Sequence, residues 1–318
     1  MTLSTRTRHE HTALLYYSER ECLDTLVRFV ADGLDRAEPV LVAIPGVKLA
    51  SLRAALGDVA GDVTMTDITD TGRNPGRVLA AQLAFVARHR HRHVRMIGEL
   101  VWPGRTDVEY PACLQHEALV NVALAGLDVT GLCLFDGSAF DEDVLADVRR
   151  THPLVWQGGS AAVSGDYSVD AALEQCNQPL STDPVAVTCT VGEAPDLAGA
   201  RSSATRYGRL LGMSADRIAE LALIVTELAT NSLDHADGTC RLAFWHHAGH
   251  LVCEARDRGH FADPLAGRRP PTPGGPYGLF VVNALADLVR IHTSAAGTTV
   301  HAYLRLDRPA GQTNGAAS

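Results

Sequence analysis

Leu223-Ile224-Val225-Thr226-Glu227-Leu228-Ala229-Thr230-Asn231-Ser232-Leu233-Asp234-His235-Ala236 is an apolar run in which one acid and one amide stand four residues apart. Four residues make about one helical turn, so Glu227 and Asn231 project from the same face of a helix. A carboxylate and an amide oxygen so placed suit a hydrated Mg²⁺, which takes hard oxygen ligands. Any amphipathic helix surface can carry such a pair, so its meaning depends on what surrounds it.

Outward from this stretch, Ser214 is an N-cap for a helix over 215–236, which Asp237-Gly238 ends. A strand over 185–190 and a helix over 194–211 precede it. Residues 240–246 and 251–257 alternate about Ala248-Gly249 and predict a hairpin. A Gly/Pro-rich loop covers 260–276, a helix 279–288, and strands 289–293 and 298–306 close the pattern around a turn at 294–297. This order predicts an α+β sandwich over 185–307.

The chain has 318 residues, enough for two domains with separate cores. From 11 to 156, strands at 13–17, 40–44, 63–67, 94–99 and 131–136 alternate with helices at 19–34, 47–56, 74–91, 110–125 and 141–151. Short continuous apolar strands alternating with helices predict an α/β domain with a mostly parallel sheet covered on both faces. The predicted divisions are a first domain at 1–157, a Gly/Pro-containing linker at 158–184 with a short helix at 169–177, the second domain at 185–307, and a disordered tail at 308–318.

Net charge is −9 and the one basic run, Arg88-His89-Arg90-His91-Arg92-His93-Val94-Arg95, is short, which argues against a nucleic-acid partner. Residues 89, 91 and 93 read as an exposed basic helix end. Seven scattered cysteines without a CxxC pair fit reduced thiols, with Cys22, Cys113 and Cys133 as buried apolar filler. A polar start and no apolar run of about 18 residues argue against a secretory signal and a membrane span. The expected location is the cytoplasm.

Three segments follow the Glu227–Asn231 helix. Asp257-Arg258-Gly259 ends a strand, where a carboxylate can accept from an adenine amino group and a glycine lets the backbone approach a base. Gly274-Gly275-Pro276-Tyr277-Gly278-Leu279 opens a helix whose amides suit phosphates. Gly297-Thr298-Thr299 begins the last strand and offers a hydroxyl. Each is common alone, but their order and spacing are not.

Residues 185–307 resemble the ATP-binding domain of GHKL ATPases, the Bergerat fold, and within it the anti-sigma-factor serine/threonine kinases of actinobacteria. Residues 227–236 resemble the N box, Asp257-Arg258-Gly259 the G1 box, 263–270 a stretch of the lid, Gly278-Leu279-Phe280-Val281-Val282-Asn283 the G2 box and Gly297-Thr298-Thr299 the G3 region. The resemblance implies ATP and Mg²⁺ as cofactors. It implies Asn231 as the Mg²⁺ ligand, Asp257 as the adenine partner, and Gly259, Gly275, Gly278, Leu279 and Thr298 as further nucleotide-binding residues. Glu227 would be the general base that takes a proton from a protein Ser/Thr hydroxyl. The implied partners are a sigma factor or an anti-sigma antagonist, with a homodimer by analogy. A histidine-kinase reading is disfavoured, since no dimerising helical hairpin with a phosphoacceptor histidine precedes the domain. Two departures stand out: Phe261 replaces the second glycine of D-x-G-x-G, and Pro276-Tyr277 replaces G-x before Gly278. They leave open a second reading, a non-catalytic partner-binding module with weakened or lost ATP binding.

In the first domain, Pro45-Gly46-Val47-Lys48 lacks the glycines and Ser/Thr of a P-loop. Polar residues instead punctuate strand ends and helices: His11, Glu99, Trp102, Glu117, Asn121, Asp136 and His152. Glu99 and Asp136 follow strands, where open α/β sheets bind ligands. Gly98-Glu99-Leu100-Val101-Trp102-Pro103, His116-Glu117-Ala118-Leu119-Val120-Asn121, Cys133-Leu134-Phe135-Asp136 and His152-Pro153 together resemble the MEDS sensory domain. That resemblance implies a RecA-like sheet with a degenerate P-loop, and sensing of an unidentified small molecule at those seven residues.

Overall fold

The computed structural model describes residues 9–236, 238–270 and 277–307. The chain divides into two compact units. One holds residues up to Gln178 together with Pro264–Pro270. The other holds Pro179–Asp263 and the chain from Pro271.

The first unit is built on β1 (His9–Tyr16), β2 (Val40–Ile44), β3 (Thr64–Asp67), β4 (Val94–Gly98), β5 (Val129–Asp136), β6 (Leu154–Gln157) and β7 (Ser160–Val163). Its helices are α1 (Glu19–Asp35), α2 (Gly46–Leu56), α3 (Pro75–Arg88), α4 (Tyr110–Ala123), α5 (Glu142–Thr151) and α6 (Val169–Cys176). The sheet order is β3-β2-β4-β5-β1-β6-β7, parallel throughout except for β6 against β7. Strand β2 is buried at all five positions, as a strand covered on both faces must be. Leu14, Tyr16, Leu132 and Leu134 pack on one face with residues of α1 and α2. Ala13, Leu15, Cys133 and Phe135 pack on the other with Cys113 of α4 and Val148 of α5. Asn74 caps α3 by accepting from Gly76 N, with Pro75 in the first turn.

Two findings differ from the expected divisions. The stretch expected as linker supplies β7 and α6 to the first unit. The β6–β7 hairpin turns on Gly158-Gly159, and β7 is exposed along its length, so it lacks the apolar pattern that marks a strand. Residues 264–270, expected inside the second domain, belong to the first unit. Leu265 is buried in the apolar cluster of Leu41, Leu79 and Leu119, and the buried Arg268 guanidinium donates to Gln115 Oε1 at 2.5 Å and Pro264 O at 2.9 Å. Burial pushes that guanidinium down to about 10.

The second unit has an antiparallel sheet in the order β11-β12-β10-β9-β8, from β8 (Val187–Val191), β9 (Cys240–His247), β10 (His250–Asp257), β11 (Leu288–Ser294) and β12 (Gly297–Arg305). Helices α7 (Asp196–Leu210), α8 (Ala215–His235) and α9 (Gly278–Leu285) contribute Ala204, Ile224, Leu228 and Val282 to a core shared with Phe244, Cys253 and Ala302 of the sheet. On the opposite side of β10 the alternation brings a charge inward: Glu254 is buried and accepts from Thr182 Oγ1 at 2.7 and 2.8 Å and from His301 Nε2 at 3.0 Å. Among the described residues, no helix is long and apolar enough to cross a membrane.

Candidate functional sites

Ser214 caps α8 by accepting from Arg217 N, and the helix then runs without a break through Glu227 and Asn231. Its apolar stripe, Leu221, Ile224, Val225 and Leu228, is buried, which turns the half-buried Glu227 and Asn231 away from the centre of the core. Ser232, next to Asn231, donates to Asp257 Oδ2 at 2.6 Å. Asp257 Oδ1 accepts from Gly259 N at 2.8 Å. Both carboxylate oxygens are thus held at the end of β10 and each keeps a lone pair for a further donor.

Three glycines make this end of the unit possible. A Cβ on Gly278 would lie 2.7 Å from Asn231 Oδ1, so the start of α9 sits directly on the Asn231 amide. A Cβ on Gly259 would meet Ala236 Cβ at 2.9 Å and His235 O at 3.2 Å. Gly297 has φ +131°, and a Cβ there would come within 2.0 Å of Asp257 O. Register explains the last contact: Asp257 lies opposite Thr298 on β12. The buried Thr298 hydroxyl donates to Gly259 O at 2.8 Å. The structure therefore gathers Asn231, Asp257, Gly259, Gly278 and Thr298. Leu279 packs against the core, and its carbonyl accepts from Asn283 Nδ2 at 3.1 Å. Gly275 and Pro276 lie outside the described residues. Ser232 was not singled out by sequence reasoning, although it sits in the decisive stretch.

The first unit separates its seven polar candidates into groups. At the carboxyl ends of the strands, Lys48 Nζ donates to Glu99 Oε1 and, at 2.5 Å, to the Tyr16 hydroxyl. Glu99 is buried, and burial raises its carboxyl despite the Lys48 charge. Burial also pushes the Tyr16 hydroxyl up to about 12. Asp136 accepts from Ser138 N at 3.0 Å and Ser138 Oγ at 2.6 Å, which closes its own turn. The Arg105 guanidinium stacks 3.4 Å from the Trp102 ring centre. A separate cleft of about 790 Å³ is lined by Glu10, Thr12, Arg28, Arg95, Thr130 and Trp156 among others.

His11, Glu117, Asn121 and His152 come together on the α4–α5 side of the sheet, and Cys133 joins them. Strands β1 and β5 are paired with Ala13 opposite Cys133 and His11 opposite Gly131, so His11 and Cys133 share a face. His11 Nε2 lies 3.3 Å from Cys133 Sγ and 3.6 Å from Glu117 Oε2. His152 Nε2 lies 3.5 Å from the same Glu117 oxygen. Burial and the neighbouring His152 hold His11 below the ordinary histidine value. Burial and Glu117 hold the Cys133 thiol well above its ordinary value. Cys133, expected as apolar filler, is thus one wall of a polar cluster. The alternation of β5 shows which face it takes, but not that His11 shares that face.

Residues 10–153 match the family described as "MEDS: MEthanogen/methylotroph, DcmR Sensory domain". Residues 191–304 match "Histidine kinase-like ATPase domain". Among curated proteins no match is found. The crystal structure of the RsbU and RsbW domains of Rv1364c from Mycobacterium tuberculosis is similar at 21% identity, over 39% of this chain, with a TM-score of 0.30. The chain spans about a third of that structure's length, 34%. On the two family matches, the chain carries a MEDS sensory domain followed by a histidine kinase-like ATPase domain.

Proposed function

We propose that this protein is a signal-responsive anti-sigma regulator whose second unit binds ATP·Mg²⁺ and phosphorylates a Ser/Thr on an anti-sigma antagonist, or sequesters a sigma factor. The observation that carries the reading is the gathering of Asn231, Asp257, Gly259, Gly278 and Thr298 at one end of the antiparallel sheet, within the ATPase-family segment. In this reading Asp257 accepts from the adenine N6 amino group and Asn231 Oδ1 ligates Mg²⁺. Glu227, one turn before Asn231, takes the proton of the attacking hydroxyl as it displaces ADP from the γ-phosphate. Phosphoryl transfer depends mainly on positioning and charge neutralisation, which suits a site of held carboxylates and backbone amides. The first unit is read as the sensor, a RecA-like sheet whose loop after β2 has lost its phosphate-binding glycines, and the protein as working in the cytoplasm.

A non-catalytic partner-binding module is the second reading. Phe261 at a G1 glycine position and the half-exposed Tyr277 before Gly278 favour it. Phosphate transfer from radiolabelled ATP to an anti-sigma antagonist protein separates the two. Transfer lost in Glu227→Ala supports the kinase, and partner binding without ATP binding or transfer supports the module.

A further inference from the structure

We propose that His11, Glu117, Cys133 and His152 form a closed four-ligand site for a divalent transition-metal ion of the zinc class. One potential ligand atom from each residue lies within 4.8 Å of all the others, and every one of the four is buried. Three of the six separations, 3.3, 3.5 and 3.6 Å, fall in the range of the edges of a tetrahedron. For Zn–N and Zn–O of about 2.0–2.1 Å and Zn–S of about 2.3 Å those edges are about 3.3–3.6 Å.

The surrounding hydrogen bonds aim the ligands. Asn121 Nδ2 donates to Thr151 O at 2.8 Å and Glu117 O at 3.0 Å, which fixes its amide so that Oδ1 faces His11 Nδ1 at 3.1 Å. His11 Nδ1 therefore carries the proton, and its Nε2 lone pair points into the cluster. His152 Nδ1 donates to Val148 O at 3.0 Å, leaving its Nε2 lone pair on the same side. His152 Nε2 and Glu117 Oε2 are buried and have no hydrogen-bond partner among the described residues. Two lone-pair acceptors facing each other in a buried space are costly unless a proton or a cation lies between them. A metal ion satisfies both.

Charge also balances. One glutamate and one cysteine thiolate bring two negative charges, which a divalent ion cancels, so the loaded site is neutral where dielectric screening is weak. On binding, the Cys133 thiol loses its proton to solvent and its sulfur forms the metal bond. A thiolate with two imidazoles and a carboxylate suits Zn²⁺ or Co²⁺ over Mg²⁺ or Ca²⁺. With all four positions filled by protein, the site is closed rather than catalytic. The inference sharpens the sensory reading of these residues but does not depend on it, since metal binding is read on the protein directly.

The test is cobalt titration of the full chain after chelator treatment. The expected result is one Co²⁺ per chain with a thiolate-to-cobalt charge-transfer band and intense visible bands of a tetrahedral ion, displaced by one equivalent of Zn²⁺. Cys133→Ser should abolish the charge-transfer band, whereas Cys189→Ser and His89→Ala should leave it unchanged. The absence of the band in the parent protein, or its survival in Cys133→Ser, would overturn the proposal. X-ray absorption of the zinc-loaded parent protein needs no variant. One sulfur and three nitrogen or oxygen neighbours are expected; a shell without sulfur, or with two or more, refutes the site.

Discussion

Gly278→Ala is the most informative substitution in the second unit. The added Cβ falls 2.7 Å from Asn231 Oδ1 and 2.8 Å from Nδ2, whereas ordinary contact begins at 3.4 Å. The clash is with the tip of a side chain, so the amide swings by about 0.7 Å and the backbone stays in place. Gly278 lacks the left-handed φ that would penalise alanine, and replacing glycine near a helix start returns about 0.5–1 kcal/mol of chain entropy. Stability should therefore change by less than about 1 kcal/mol. Nucleotide handling should change far more. If Asn231 ligates Mg²⁺, a displacement of this size should weaken Mg·ATP about tenfold, or about 1.4 kcal/mol. It should slow transfer by up to about 100-fold. ATP without Mg²⁺ should bind equally to both proteins. Calorimetry with and without Mg²⁺ reads the two affinities, thermal unfolding the stability, and phosphate transfer from radiolabelled ATP the rate. Equal Mg·ATP affinity in a folded Gly278→Ala protein would refute the role given to Asn231.

Gly297→Ala should behave in the opposite way: φ of +131° and a Cβ 2.0 Å from Asp257 O leave the backbone no room, so a loss of about 3–5 kcal/mol in chemical denaturation is expected. Glu227→Ala should retain Mg·ATP binding and lose phosphate transfer, and unchanged transfer would remove Glu227 from the mechanism. The Glu254 carboxyl is raised by burial, but hydrogen bonds from His301 and Thr182 and the His301 and Arg256 charges outweigh that and hold it below its ordinary 4.5. Its folded value being the lower one, its stabilisation is complete above the unfolded value and is lost as pH falls through the folded value. Denaturation curves from pH 7 to pH 3 should show this acid loss, and Glu254→Gln should lessen it.

The sequence carried the two sheets and most helices because their signals are local. Strand β2 is one apolar block, Ser214 and Asn74 stand where α8 and α3 begin, and Ala248-Gly249 turns the β9–β10 hairpin. The β6–β7 hairpin was hidden because β7 is exposed throughout and pairs only at the sheet edge. Residues 264–270 were hidden for another reason. Leu265 looks like any loop leucine, and only the folded first unit supplies the apolar cluster that covers it. That Asn231 and Asp257 come to the same end of the second unit follows from helical spacing and strand-end position. Ser232 and Cys133 act through partners distant in sequence, which no short motif encodes.

The proposed binding of ATP·Mg²⁺ by the second unit through Asp257 and Asn231 is read without intermediate steps by calorimetric titration of ATP·Mg²⁺ into the full chain. Micromolar binding in the parent protein, abolished in a folded Asp257→Asn variant, is the predicted result. No heat of binding at millimolar ATP with Mg²⁺ present, or equal binding by Asp257→Asn, would contradict it.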